Sequence, residues 1–164
     1  MNSYHIISFI LFLSSICNAL NLTLTDYHDP AANHILDAEI VDNTLIISAM
    51  VQGIEFYDVT VGGNLNHLAH FTLGGGVRAN CVRANGNYAY FTSSNGLYVV
   101  NISNPANPVQ ITTIEVNNAW AVALMDGYAY IASNDEILVV DGSDINFPSL
   151  LTPILTGNAV KDVA

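Results

Sequence analysis

The chain has 164 residues, room for one ordinary domain, of which 51% are hydrophobic and only 10% charged. Its charges are lopsided, with 14 acidic residues against Arg78, Arg83 and Lys161, for a formal net charge of −11 at pH 7. That balance excludes a nucleic-acid partner, whose phosphates would be repelled, and leaves cations, neutral surfaces or plain solubility as its reason.

The first element is the apolar run IISFILFLSSI, Ile6 to Ile16, too short to span a bilayer and followed by Cys17-Asn18-Ala19 with small residues where a signal peptidase reads them. Residues 1–19 are therefore expected to be a signal peptide. Cleavage after Ala19 predicts a secreted or cell-surface chain that begins at Leu20. A buried strand and lipid attachment at Cys17 are the competing readings, the latter with the bulky Ile16 where lipoprotein signals carry a small residue. After cleavage only Cys81 remains, so no internal disulfide can form, and its apolar strand context predicts a buried, inert thiol.

Residues 20–34 form an N-terminal extension, and beyond them the chain repeats itself. NGNYAYFTSSNGLYVVNISNPANPVQITTIEV aligns with LMDGYAYIASNDEILVVDGSDINFPSLLTPIL, placing Tyr88 over Tyr128, Val100 over Val140 and Pro108 over Pro148 at a spacing of 40. An earlier, degraded copy is legible in NTLIISAMVQGIEFYDV, with Gly53 over Gly96 at a spacing of 43. The tail NAVKDVA starts another. Within each copy, apolar and β-branched runs alternate with Gly, Asn, Asp and Pro clusters, which predicts four short strands per copy and no helix. In the second copy they fall at 79–84, 87–93, 97–102 and 109–116. Tyr-Ala-Tyr at 88–90 and 128–130 puts rings on one face and alanine on the other, whereas LYVV and ILVV are apolar on both faces and predict burial on both.

Four strands in about forty residues, repeated, point to an all-β fold, a partial β-propeller of three four-stranded blades forming an open arc. Blade 1 is expected at 35–76, blade 2 at 77–118, blade 3 at 119–158, and the start of a truncated fourth at 159–164. Propellers close with about four to eight blades, so three blades and a stub predict a fragment of a longer protein with exposed edges. GLYVVNISNP and EILVVDGSD resemble the blades of the LVIVD-repeat family of β-propellers, and GNYAYFTS and DGYAYIAS resemble its second strands. The resemblance covers about 35–164. It departs from the family where Asn101 replaces the usual aspartate and where Val61 to Leu65 replaces the Asn-Pro turn. It implies a surface or secreted protein of a family mostly without assigned activity.

Asp58, Asn101 and Asp141 recur at the ends of third strands, where such side chains accept backbone amides two residues on and start turns. Pro105, Pro108 and Pro148 fix φ in the loops. His28, His34, His67 and His70 form no spaced ligand set, and His67 and His70 would point to opposite faces of a shared strand. No nucleophile-elbow serine, Cys and His pair or phosphate loop is present, and Gly74 to Gly76 precedes no helix, so it reads as a flexible connection. Asn21-Leu22-Thr23 and Asn101-Ile102-Ser103 fit the glycosylation acceptor pattern.

One ring of positions varies where its neighbours do not. Asp37, Asn80, Trp120 and Lys161 begin the innermost strands, and they are read as a ligand-facing rim at the channel mouth, or else as tolerant surface sites. Asn95, Asn117 and Asp135, in loops expected on the same face, extend it. No metal site is expected. The function these features predict is a non-catalytic, extracellular or cell-surface module for protein or glycan interaction, with no cofactor and with membrane attachment only through an anchor outside this chain. The alternative is part of a secreted propeller hydrolase or dehydrogenase holding calcium or a redox cofactor. Only Asp37 and Asn80 are of the type and level such a channel needs.

Overall fold

The computed structural model describes residues 35–49, 53–59, 65–74 and 77–164. The expected signal peptide, the N-terminal extension, His28, His34 and Asn21 lie outside the described residues. The rest is all-β. The first sheet is β1 (Asp37–Val41), β2 (Thr44–Ala49), β3 (Gly53–Val59) and β4 (Leu65–Phe71), paired in that order. The second is β5 (Ala79–Asn85), β6 (Tyr88–Ser93), β7 (Gly96–Asn101) and β8 (Val109–Glu115). The third is β9 (Ala119–Met125), β10 (Tyr128–Ser133) and β11 (Glu136–Asp141), with its outer strand broken into β12 (Ser149–Leu150) and β13 (Ile154–Leu155). Every pairing is antiparallel, and each sheet is a meander, as in a propeller blade.

Tight hairpins make these meanders. Between β9 and β10, Asp126 and Gly127 both adopt positive φ (51° and 84°), the backbone of a two-residue turn whose twist matches its strands. After β7 and β11, the Asn101 and Asp141 side chains each accept a backbone amide two residues on, from Ser103 and Ser143 (both 2.9 Å), as their recurrence predicted. The Ser143 amide holds the Asp141 carboxyl below the usual carboxylate range. The turn after Asp58 lies outside the described residues.

The sheets stack through their inner strands: β1 and β2 lie against β5, and β5 and β6 against β9. None closes on itself, and the three make an open arc. Between the first two sheets, Ile46, Ile54, Phe56, Val82, Phe91, Tyr98 and Val100 form an aromatic-rich core. Between the second and third, the core is smaller in grain, with Cys81, Leu97, Ala119, Ala121, Val122, Ala129 and Ile131. Fully burying a side chain such as Phe91 contributes about 2–3 kcal/mol.

Tyr-Ala-Tyr behaves as its period demands, with Ala89 and Ala129 buried and Tyr90 and Tyr130 half-buried. One expectation fails. His67 and His70 do not point apart, because β4 pairs His67 with Tyr57 and Ala69 with Phe56, leaving Leu68 as a bulge. The extra residue brings both rings to Glu55: His67 Nε2 lies 2.8 Å from Oε2 and His70 Nδ1 3.9 Å from Oε1.

Candidate functional site

Strand pairing fixes the equivalences that alignment had to guess. In the second sheet Ala79 pairs with Ser93 and Cys81 with Thr92, so Asn80 is an extra residue against one partner. In the third, Ala119 pairs with Ser133 and Ala121 with Ala132, so Trp120 is bulged in the same way. In the first sheet β1 begins at Asp37, which pairs with Ser48. Asp37 therefore corresponds to Cys81 and Ala121 rather than to Asn80 and Trp120. A β-bulge re-aims the side chain it carries, and at this position that side chain changes from Asn80 to Trp120 while Ala79 and Ala119 before it stay the same.

Each of these side chains reaches toward the next blade. The Asp37 carboxylate accepts the Val82 amide (3.1 Å) and the Arg83 guanidinium (2.7 Å), with its other oxygen on the Ala38 amide (2.9 Å). The Asn80 amide donates to the Ala119 carbonyl (2.8 Å). Thr92 donates its hydroxyl to the Trp120 carbonyl (3.1 Å), and the Lys161 ammonium lies 5.7 Å from the Trp120 ring centroid, within cation–π range. Asp37 and Asn80 thus tie blade to blade. Trp120 keeps 45% of its surface exposed and is the large apolar residue of the rim.

Around Asp37 the first junction is charged. Glu39 is half-buried, and that desolvation pushes its carboxyl up, against the Arg83 guanidinium, which lowers it, and with the Asp37 carboxylate, which raises it further. Burial, helped by the Asp37 carboxylate, pushes the Cys81 thiol up to about 12, so it stays protonated and inert at neutral pH. At the positions of Asp37 and Glu39 the third sheet carries Ala121 and Ala123.

The loop residues are linked along one face by hydrogen bonds. The Asn118 amide donates to the Ser94 carbonyl (2.9 Å), and the Asn118 side chain to Asn134 Oδ1 (3.2 Å). Ser133 donates its hydroxyl to the Asn117 carbonyl (2.7 Å), while the Val160 amide donates to the Asn134 carbonyl (2.7 Å) and the Thr156 amide to Asp135 (2.9 Å). The turn holding Asn95, the connection holding Asn117 and the turn holding Asp135 therefore form one continuous band, with the side chains of all three residues exposed. Trp120 and Lys161 adjoin it. Asn118, Asn134, Ser133 and Arg83 were not singled out from sequence. Only the copy-to-copy identity of Ser93 and Ser133 could have pointed there. Among the described residues no group of three His, Cys, Asp or Glu side chains is arranged to hold a metal ion, Glu55 with His67 and His70 included.

The LVIVD repeat model matches the chain twice, at residues 76–115 and 117–156. No curated protein matches it. Among solved structures, KlHsv2 with loop 6CD replaced by a Gly-Ser linker is similar at 17% identity and a TM-score of 0.52, covering 76% of this chain and 40% of that one. Kluyveromyces lactis Hsv2 with a complete loop 6CD gives 18% identity and a TM-score of 0.51, over 76% and 37% of the two chains. Both are propeller-like, so the likeness concerns the fold, and this chain spans about two fifths of their length.

Proposed function

We propose that this chain, a β-propeller module carrying two LVIVD repeats, is a non-catalytic interaction module that works outside the cell or at its surface and presents the face around Trp120 to a protein or glycan. One observation carries the reading: the turns bearing Asn95, Asn117 and Asp135 are hydrogen-bonded into a rigid band beside a half-exposed tryptophan. Rigid amide-rich loops with one amphipathic anchor lose little entropy on binding, and fold alone implies no chemistry. Three blades leave a ring open, so we read the module as one arc of a larger propeller, completed by further blades.

Replacing Trp120 with alanine in the full-length protein should weaken partner capture by about 2 kcal/mol, roughly 30-fold, with the melting temperature unchanged. Equal recovery of the partner by both forms would remove this face from the function. Export has its own measurement. The intact mass of protein from its own host should correspond to a chain beginning at Leu20, and a chain still beginning at Met1 would end the extracellular reading.

A further inference from the structure

Blade 3 carries a second surface on its outer rim. Pairing places Leu150 opposite Val140 and Leu155 opposite Glu136, just as Gln110 lies opposite Val100 and Glu115 opposite Gly96 in blade 2. Phe147 matches Asn107, since both donate their amides three residues back, to Asp144 and Asn104. So Asn107, Gln110 and Glu115 of blade 2 become Phe147, Leu150 and Leu155 in blade 3, with 81%, 49% and 76% of their surfaces exposed. The blade 2 residues are exposed although that blade is flanked on both sides, so another blade stacked on blade 3 would leave these three positions open too. Blade 2 also shows that the fold accepts polar groups there, and three apolar replacements on one rim need another reason.

Charge identifies the occupant. The rim is framed by acids at both ends: Asp141 pairs with Ser149 and Asp144 accepts the Phe147 amide, while Glu136 pairs with Leu155 and Asp135 accepts the Thr156 amide. Against only three basic residues in the chain, that frame repels a second copy and an anionic bilayer alike. We infer that the outer rim of blade 3, built on Phe147, Leu150 and Leu155 between two acidic pairs, docks an apolar peptide segment flanked by basic residues on another protein. Apolar contact supplies the affinity, and the acidic frame supplies orientation and the rate of encounter. The surface meets the Trp120 face at Asp135, but Phe147, Leu150 and Leu155 are not part of that face, so either can fail without the other.

The test uses the full chain and labelled synthetic peptides, Lys-Lys-Ile-Leu-Val-Ile-Lys-Lys and its counterpart with glutamates for lysines, followed by fluorescence anisotropy. The lysine peptide should bind, and several-fold more weakly at 300 mM than at 50 mM salt. The variant Phe147→Asn, Leu150→Gln, Leu155→Glu installs the blade 2 residues and should weaken binding at least tenfold, even though it adds a negative charge that favours the peptide. Should the triple variant melt early, Phe147→Asn alone, in a loop, should still weaken binding several-fold. No binding, equal binding by the variant, or equal binding of the glutamate peptide would each overturn the inference. So would flotation with phosphatidylcholine vesicles, or self-association in sedimentation, that the triple variant abolishes, since the occupant would then be a membrane or a second copy.

Discussion

Blades 2 and 3 share a third-strand grammar and differ in what surrounds it. Leu97, Tyr98, Val99 and Val100 are all buried, whereas in Ile137 to Val140 only Leu138 and Val140 are, and Ile137 and Val139 stay half-exposed. The strands read alike because each is built to be covered on both faces. Blade 2 has a sheet on either side, and blade 3 has one sheet and the short segment carrying Val160 and Val163. Apolarity on both faces of a strand thus records a packing site whether or not it is filled. The largest test of that comparison is a matched pair. Leu97→Ala should cost about 3–5 kcal/mol, with full loss of contacts and a cavity, and Ile137→Ala about half as much, in chemical denaturation of the full chain. Equal costs would mean that the far side of blade 3 is as well packed as blade 2.

A second contrast lies at the first residue of the same strands. Gly53 and Gly96 start β3 and β7, and a Cβ added at either would collide with the carbonyl of Phe71 or Ile114 on the outer strand. Gly53 also holds a φ of +100° that side chains rarely adopt. Blade 3 carries Glu136 at this position and still pairs there with Leu155 of β13, while its outer strand breaks farther along, between Leu150 and Ile154. Pro153, which cannot donate to a ladder, lies in that break. Gly96→Ala should therefore cost about 2 kcal/mol or more in thermal or chemical melting, while Glu136→Ala changes stability by less than about 0.5 kcal/mol. A harmless Gly96→Ala would show that the outer strand of blade 2 can yield to a side chain there, as β13 does to Glu136.

The sequence was legible where periodicity was strong and silent where one residue decides the register. The second copy's strands were expected within one residue of Ala79–Asn85, Tyr88–Ser93, Gly96–Asn101 and Val109–Glu115, because Gly86-Asn87 and Ser94-Asn95 punctuate them. Bulges were invisible. A single inserted residue leaves composition and hydropathy unchanged, yet the bulge at Leu68 turned His67 and His70 to one face, and those at Asn80 and Trp120 moved Asp37 out of their ring. The band of loop hydrogen bonds runs mainly through backbone groups, which carry no residue-specific signature, so only its exposed ends at Asn95, Asn117 and Asp135 could be read beforehand. The meaning of Phe147, Leu150 and Leu155 emerged only once pairing showed which blade 2 residues they replace.

The smallest effect separates the two faces of blade 2 by pH. Its junction with blade 1 holds Asp37, Glu39 and Arg83, and on the blade 3 side the matching positions are Ala121 and Ala123. Burial raises the Glu39 carboxyl in the folded chain, so the folded state holds that proton more tightly than the unfolded one. Stability from this group is fully present below the ordinary carboxylate range and is lost as pH rises through the raised value, which makes ionised Glu39 a small burden at neutral pH. Glu39→Gln should accordingly melt slightly higher than the parent at pH 7, by less than about 1 kcal/mol once solvent screening is counted. Its advantage should fade as pH falls toward 4. The comparison of parent and variant cancels every other titrating group, including Asp141, whose lowered carboxyl acts with the opposite sign. An advantage that stayed constant with pH would be one of packing, and the charged character of the first junction would then have no part in its stability.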